Sequence, residues 1–137
     1  MAIWSESYDI RAMAEKPKVL VIDDDRPLAQ LLAQQLQQAG FPASAAVDPI
    51  QGFMFAQRES PGLILLDINL PAGGGFPLLE KLRKTPRTKL IPVIVITAAP
   101  DPEMETQARA KGAEGFLRKP ITNEAMIAEV ERVLAVG

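Results

Sequence analysis

Short apolar runs alternate along the chain with longer segments in which apolar residues recur at helical spacing. The two clearest runs, LILL from residue 63 and VIVI from residue 93, are continuously apolar. A strand with apolar side chains on both faces must be covered on both faces, as in a parallel sheet that lies between helices. The pattern therefore predicts a parallel sheet with helical layers on its two sides.

The apolar runs predict five strands, at Val19–Ile22, Ala43–Val47, Leu63–Leu66, Ile91–Thr97 and Gly115–Arg118. The first helix should begin near Pro27 and end at Gly40, since leucines recur between them at helical spacing. Four more helices are predicted, at Pro49–Arg58, Phe76–Lys84, Pro102–Lys111 and Thr122–Ala135. Asp101 and Thr122 are expected N-caps of the last two. Five strand-helix repeats predict an α/β three-layer sandwich with right-handed crossovers.

Polar residues gather where the predicted strands end. Asp23, Asp24 and Asp25 follow the first strand, and further polar side chains end or follow the third, fourth and fifth. The carboxyl edge of an open α/β sheet is where ligands bind, and converging carboxylates suit a hard cation such as Mg²⁺. Two interpretations of the three acids stay open at this point. They hold a cation, or Asp25 caps the following helix while Asp23 and Asp24 are solvated.

Composition narrows the possible functions. The 137 residues suit one domain, and a net charge of −2 provides no basic surface for nucleic acid. The absence of histidine removes the commonest general base, and the absence of cysteine removes disulfides and thiolate metal sites. No apolar run has the length of a membrane span, and the first 16 residues lack the pattern of a signal peptide. We expect a cytoplasmic protein that binds neither nucleic acid nor membrane directly.

Four stretches in order, VLVIDD, LILLDINLP, VIVITA and GAEGFLRKP, resemble the receiver domain of bacterial response regulators. The resemblance extends from Lys18 to Leu134. The chain is similar in plan to the single-domain chemotaxis regulators. It implies a flavodoxin-like fold whose five-stranded parallel sheet has the strand order 2-1-3-4-5. The receiver domain is expected to occupy residues 17–137, with residues 1–16 as an N-terminal extension.

The resemblance also implies the site residues of a two-component phosphorelay. Asp67 would accept a phosphoryl group from a histidine kinase or a histidine phosphotransfer protein. Asp24 would ligate Mg²⁺ directly, Asp23 largely through water, and Asn69 through its backbone carbonyl. Asp67 would also belong to the set of metal ligands. The protein would then be a signalling phosphoacceptor rather than an enzyme, with only self-phosphorylation and self-dephosphorylation.

The chemistry of phosphoryl transfer agrees with these roles. The transfer needs an in-line nucleophile, a cation for the phosphoryl oxygens and fixed donors for the remaining charge. Asp67 offers a carboxylate nucleophile, Lys119 a flexible cation opposite the metal, and Thr97 a neutral hydroxyl donor. Taken singly, Lys119 reads as a surface lysine and Thr97 as an ordinary strand end; their joint spacing favours the site. The resemblance marks Lys119–Pro120 as a candidate cis peptide.

The resemblance makes Phe116 the aromatic switch residue, although residue type alone favours a core phenylalanine. Phosphorylated Asp67 would draw the Thr97 hydroxyl inward and leave room for the Phe116 ring. The surface that reports the change would be the fourth helix, fifth strand and fifth helix. The fourth helix has a poor apolar stripe, with only Met104 and Ala108 well placed, which is typical of an element held weakly enough to move.

Two features depart from the family pattern. The loop PAGGGF after Asp67 holds three consecutive glycines, which predicts an unusually unconstrained backbone beside the metal. Gly115 stands where winged-helix regulators of the family usually carry an acidic residue used in receiver dimers, so that type of dimer is not expected.

The chain ends shortly after the last predicted helix. Two interpretations follow: a single-domain regulator that contacts a downstream protein, or a receiver separated from an output domain. In the N-terminal extension, five large apolar side chains predict a contact surface rather than a free tail. They are Ile3, Trp4, Tyr8, Ile10 and Met13.

Two other functions share this architecture. A haloacid dehalogenase-type phosphatase also places an aspartate after a strand, but it needs a second aspartate two positions later, where this chain has Asn69. A flavodoxin-like cofactor-binding module needs a phosphate loop rich in Ser, Thr and Gly. The corresponding loop here is DDDRP, which would repel a phosphate unless a metal intervened.

Overall fold

A computed structural model of the chain describes residues 16–70, 73–98 and 101–136, which form five alternating strands and helices. The elements are β1 Val19–Ile22, α1 Arg26–Gln38, β2 Ala43–Ala46, α2 Pro49–Glu59, β3 Leu63–Asp67, α3 Gly75–Lys84, β4 Val93–Thr97, α4 Pro102–Ala110, β5 Gly115–Arg118 and α5 Asn123–Val136. The strands form one parallel sheet in the order β2-β1-β3-β4-β5. The predicted fold class and strand order are therefore confirmed.

Each face of the sheet carries its own apolar core. Helices α1 and α5 cover one face, where Leu32, Leu36 and Met126 are buried against Val21 and Leu65. Helices α2, α3 and α4 cover the other face. Burial on both faces explains why β3 and β4 are continuous apolar runs rather than alternating ones.

Most helix starts follow from the sequence because side-chain caps fix them. Asp25, Asp48 and Asp101 each accept a hydrogen bond from a backbone N–H of the first helical turn. A proline follows Asp48 and Asp101 directly, and Pro27 follows Asp25 after one residue. The Thr122 hydroxyl accepts a hydrogen bond from Ala125 N at 3.1 Å, so its predicted capping role is also confirmed. Helix α3 begins differently, at Gly75, without a side-chain cap.

The element boundaries differ from the predicted ones by one or two residues. Strand β4 begins at Val93 rather than Ile91, because Pro92 has no N–H with which to continue the ladder. Strand β3 extends to Asp67, which pairs with Ile96. The Lys119–Pro120 peptide is cis. No helix in residues 16–70, 73–98 and 101–136 combines the length and apolarity needed to cross a membrane.

Candidate functional site

Three carboxylates converge at the carboxyl edge of the sheet. Asp23 and Asp24 directly follow β1, and Asp67 is the last residue of the neighbouring β3. One oxygen from each of the three side chains lies within 4.8 Å of the other two. Asp23 and Asp67 are buried while Asp24 is exposed, so the cluster has a closed inner side and an open outer side.

The buried Asp23 carboxylate is only half satisfied by hydrogen bonds. Its Oδ1 accepts the backbone N–H of Asp25 at 2.9 Å. Its Oδ2 lies 3.1 Å from Lys119 Nζ, an ion-pair distance, but accepts no hydrogen bond of acceptable geometry from the described residues. This oxygen therefore has Lys119 as an ion-pair partner but no hydrogen bond of good geometry.

Lys119 lies between the two buried acids. Its Nζ is 3.1 Å from Asp23 Oδ2 and 3.4 Å from Asp67 Oδ2. Its backbone N–H donates to the Thr97 carbonyl at 2.8 Å, which ties the residue after β5 to the end of β4. The other Asp67 oxygen accepts the Asn69 N–H at 2.9 Å. The ammonium is therefore held by backbone pairing against the carboxylate predicted to react.

The charges of the site alter its titration. Burial raises the pKa of Asp23, and the negative charge of Asp67 adds to this, while the Asp25 N–H and Lys119 oppose it only in part. Burial alone would lower the pKa of Lys119, but the adjacent carboxylates of Asp23 and Asp67 outweigh it and the pKa is raised. Lys119 thus remains cationic. With three carboxylates and one ammonium, the formal charge of the cluster is −3 + 1 = −2.

An Mg²⁺ ion fits this donor set. The three ligand atoms brought together here are carboxylate oxygens, which are ligands of a hard cation. The net negative charge of the cluster favours a cation over an anion at this position. The exposed Asp24 leaves an open side for water, which Mg²⁺ keeps in its coordination shell.

Thr97 and Asn69 join the end of β4 to the loop after Asp67. The Thr97 hydroxyl donates to Asn69 Oδ1 at 3.0 Å, and the Ala98 N–H donates to the same oxygen at 3.2 Å. Sequence reasoning used only the backbone carbonyl of Asn69 and missed this role of its side chain. The available signal was a polar side chain two residues after the end of β3. Such a side chain lies near the polar end of the neighbouring strand β4.

Phe116 lies two strands from Asp67, in β5. Its side chain is half-buried and packs against the core beneath α2, α3 and α4. Its backbone N–H donates to Glu129 Oε2 of α5 at 3.0 Å. The Phe116 ring is thus neither fully buried in the core nor fully exposed to solvent.

The three consecutive glycines are not equally unconstrained, contrary to the expectation from sequence. Gly73 has a φ of +68°, which favours glycine. Gly75 is required for a different reason, because a Cβ there would lie 2.2 Å from the Ile68 carbonyl oxygen. The first turn of α3 therefore packs tightly on the backbone next to Asp67. Pro71 and Ala72 lie outside the described residues.

All the predicted site residues except Phe116 come together at one edge of the sheet: Asp23, Asp24, Asp67, Asn69, Thr97 and Lys119. Asp25, the third acid of the run, caps α1 by accepting the Leu28 N–H at 3.1 Å. Of the two interpretations of the acid run, the capping role thus holds for Asp25, while Asp23 is buried rather than solvated.

The chain resembles known proteins over most of its length. A family model described as the response regulator receiver domain matches residues 19–131. The DNA-binding dual master transcriptional regulator RpaA of Synechocystis is 38% identical over 118 residues, covering 86% of this chain and 49% of RpaA. The probable chemotaxis protein CheY of Rhizobium etli is 36% identical over 123 residues, covering 89% of this chain and 95% of that protein. The chain thus spans about half of RpaA and nearly all of CheY.

Solved structures agree with the sequence relatives. The chemotaxis response regulator CheY4 of Vibrio cholerae superposes with a TM-score of 0.79 at 31% identity, covering 85% of this chain and 97% of CheY4. The receiver domain of the Francisella response regulator 1452 gives a TM-score of 0.80 at 27% identity, covering 88% of this chain and 98% of that domain. Neither the phosphatase nor the cofactor-binding alternative gains support from these relatives.

Proposed function

The chain belongs to the response regulator receiver domain family of two-component systems, and we propose that Asp67 is its phosphoacceptor, with Mg²⁺ as its cofactor. The observation that carries the proposal is the position of Asp67. Its carboxylate ends a fully buried strand, faces the oxygens of two further acids, and has the Lys119 ammonium 3.4 Å away. A carboxylate so placed is held in one position at the edge where ligands approach.

In the proposed reaction, a carboxylate oxygen of Asp67 attacks the phosphorus of a phosphohistidine on a donor protein. The new bond is O–P, the P–N bond breaks, and the electron pair leaves with the donor imidazole. The Lys119 ammonium stabilises charge that develops on the phosphoryl oxygens. Asp67 supplies the nucleophile without deprotonation, which is consistent with a chain that has no histidine to act as base.

Asp23, Asp24 and the backbone carbonyl of Asn69 would hold the Mg²⁺ beside Asp67. When bound, the ion supplies positive charge to the phosphoryl oxygens and reduces the repulsion between an anionic donor and the acid cluster. The exposure of Asp24 and its position beside Asp23 and Asp67 support direct ligation by its carboxylate.

The switch would use the hydrogen bond that now joins Thr97 to Asn69. A phosphoryl group on Asp67 adds strong acceptor oxygens, so the Thr97 hydroxyl can exchange Asn69 Oδ1 for a phosphoryl oxygen. Movement of that side chain frees space for the half-buried Phe116 ring. The change would then reach the surface formed by α4, β5 and α5, which we name the reporting surface.

The partners proposed for this chain are a histidine kinase or histidine phosphotransfer protein as donor, and a downstream protein or an output domain as receiver of the signal. Receiver domains of this family have such partners, and the specific ones for this chain follow only from experiment. A cytoplasmic location is part of the same proposal.

The test is phosphorylation by acetyl phosphate in Mg²⁺, followed by intact-protein mass spectrometry. Asp67→Asn is expected to lose the phosphoryl adduct completely while retaining its circular dichroism spectrum. Asp48→Asn, which removes a capping carboxylate at the start of α2, is the matched control and should label like the parent chain. An undiminished adduct in Asp67→Asn would place the acceptor on another residue.

A further inference from the structure

An apolar groove lies between α2 and α3, and none of its lining residues is among the proposed phosphoryl-transfer residues. It encloses about 240 Å³. Its lining residues are Pro49, Ile50, Phe53, Gly74, Pro77, Leu78 and Lys81. Ile50 is 84% exposed and Met54, one turn further along α2, is 41% exposed. Two large apolar side chains this exposed on one helix face indicate a surface that another segment covers.

The groove continues along α2 toward the amino edge of the sheet. A second hollow shares Ile50 and Phe53 with the first and extends to Met54, Gln57, Arg58 and Arg87. The charged residues that line the two hollows are Lys81, Arg58 and Arg87, which are all cationic. We call the two hollows together the α2–α3 groove.

One cation of the groove contacts an aromatic ring, and the other two form no ion pair among the described residues. Lys81 Nζ lies 4.1 Å from the centre of the Phe53 ring. Within residues 16–70, 73–98 and 101–136, neither Arg58 nor Arg87 forms an ion pair. An occupant that matches this surface carries apolar side chains together with carboxylates.

The described part of the chain begins at the amino edge of the sheet, toward which this groove runs. A Cβ added at Gly62 would lie 2.6 Å from Pro17 Cβ, so the backbone before β1 packs against the segment that follows α2. Lys16 is also fixed, since its Nζ donates to the Ala39 carbonyl at 3.0 Å. Arg58 is four residues before Gly62, a separation of at most about 14 Å.

The sequence before Lys16 has the required chemistry. Residues 2–10 read AIWSESYDI, with the apolar side chains Ile3, Trp4, Tyr8 and Ile10 and the carboxylates Glu6 and Asp9. Ile10 lies six positions before Lys16, and an extended chain of that length reaches about 20 Å. This reach exceeds the separation between Gly62 and Arg58, so residues 2–10 can lie along α2.

We propose that the N-terminal segment, residues 2–10, docks in the α2–α3 groove of its own chain. The apolar side chains of the segment cover Ile50, Phe53 and Met54, and its carboxylates face Arg58, Lys81 and Arg87. The proposal concerns a different surface from the acid cluster, so it does not depend on the assignment of Asp67.

Because the chain has no cysteine, one spin label can report where the segment lies. Ala2→Cys in the full chain carries a nitroxide, and amide signals are compared before and after its reduction. We expect loss of signal at residues 50–58 and 78–87 in the labelled molecule. Signal loss confined to α1, α5 or the reporting surface, or no loss outside the segment itself, would overturn the proposal.

A mixed sample separates docking within one chain from docking between copies. Isotope-labelled chains without a spin label are combined with spin-labelled chains at natural isotope abundance. Under the proposal, the groove signals of the isotope-labelled chains keep their intensity. If they lose it, the segment belongs to a second copy and the proposal in its present form is wrong.

Groove variants give an independent measurement through Trp4, the only tryptophan of the chain. Ile50→Glu is expected to shift Trp4 emission to longer wavelength, because it places a negative charge in the groove opposite the carboxylates of the segment. Leu31→Glu is the matched control, since Leu31 is an exposed leucine of α1 on the other face of the sheet. Equal emission in Ile50→Glu and the parent chain would contradict the proposal.

Discussion

The centre of the sheet and its β5 edge are built differently. All residues of β3 and β4 are buried, and Asp67 and Thr97 end these two strands. In β5 only Gly115 is buried, and α4 fully buries only Ala108 among its residues. Asp67 and Thr97 thus end fully buried strands, whereas β5 and α4 of the reporting surface contribute few buried residues.

The comparison suggests a division of work between the two regions. A phosphoacceptor must keep its carboxylate within bonding distance of its partners, and fully packed strands provide that placement. A reporting element must change its position at small cost in free energy, and elements with few buried apolar contacts can do so. The following predictions measure this difference, beginning with the largest effect.

Leu66→Ala is expected to reduce the free energy of unfolding by about 2–5 kcal/mol, because it opens a cavity beneath α2 and α3. Met104→Ala, a matched truncation in the half-buried stripe of α4, should reduce it by less than about 1 kcal/mol. Urea unfolding of both variants tests the contrast. Similar losses in the two would mean that α4 is packed as firmly as the centre of the sheet.

Arg83 connects the two regions. From α3 its guanidinium donates five hydrogen bonds: two to the Gly112 carbonyl, one each to the carbonyls of Lys89 and Ile91, and one to Glu114 Oε1. Gly112 and Glu114 lead directly into β5. Glycine is needed at position 112, where φ is +103° and a Cβ would lie 2.8 Å from Arg83 Nε.

Arg83→Lys should cost roughly 1–3 kcal/mol of unfolding free energy, since a lysine cannot satisfy these acceptors together. Hydrogen exchange should quicken most in residues 112–118, because the lost bonds hold that segment. Lys84→Gln, at an exposed position of the same helix, is the control. Uniformly faster exchange across the sheet would argue that Arg83 supports the whole core rather than the β5 edge.

The order of elements was predictable because the relevant signals are local. Continuous apolar runs marked the strands, and Asp-Pro pairs at residues 48–49 and 101–102 marked helix starts. The errors lie at boundaries that depend on a neighbouring strand. Asp67 counts as part of β3 only because it pairs with Ile96, and Pro92 is excluded from β4 by its missing N–H.

Within the site, positions were predictable but environments were not. Asp23 and Asp24 are identical letters in the sequence, and only the fold makes the first buried and the second exposed. The Asn69 side chain meets Thr97 across 28 residues, and Arg83 meets Gly112 across 29. Contacts of this kind depend on the packing of separate elements, which periodicity and spacing do not encode.

Glu129 provides a pH test of the reporting surface. The Arg132 guanidinium beside it lowers its pKa, and the Phe116 N–H adds to this against the effect of burial. A carboxylate with a lowered pKa in the folded state contributes stability above its ordinary pKa of 4.5 and loses it as pH falls through the folded-state pKa.

In Glu129→Gln, the unfolding free energy should therefore fall less as the pH is lowered, by a difference of less than about 1 kcal/mol. The Phe116 amide should also be less protected from hydrogen exchange near neutral pH. Unfolding free energies measured from neutral pH down through the folded-state pKa of Glu129 provide the test. Glu131→Gln, an exposed position of the same helix, serves as the control. An identical pH dependence in the two variants would show that the contact between α5 and β5 does not use the Glu129 charge.

The smallest expected effect lies in the acid cluster, and its sign depends on Mg²⁺. Without the ion, Asp24 is repelled by Asp23 and Asp67, and Lys119 is the cation among the described residues that pairs with the cluster. Asp24→Asn should therefore raise the unfolding free energy by well under about 1 kcal/mol. With Mg²⁺ in excess, the parent chain gains stability through binding and the variant gains less, so the order of the two should reverse. Asp25→Asn controls for the loss of a charge nearby, because Asp25 caps α1 and is expected to leave Mg²⁺ affinity unchanged. Thermal unfolding in EDTA and in Mg²⁺ measures the sign of the stability difference between the variant and the parent chain under each condition. A variant less stable than the parent chain under EDTA would mean that the Asp24 carboxylate is a structural hydrogen-bond acceptor, and the repulsion argument would then be wrong.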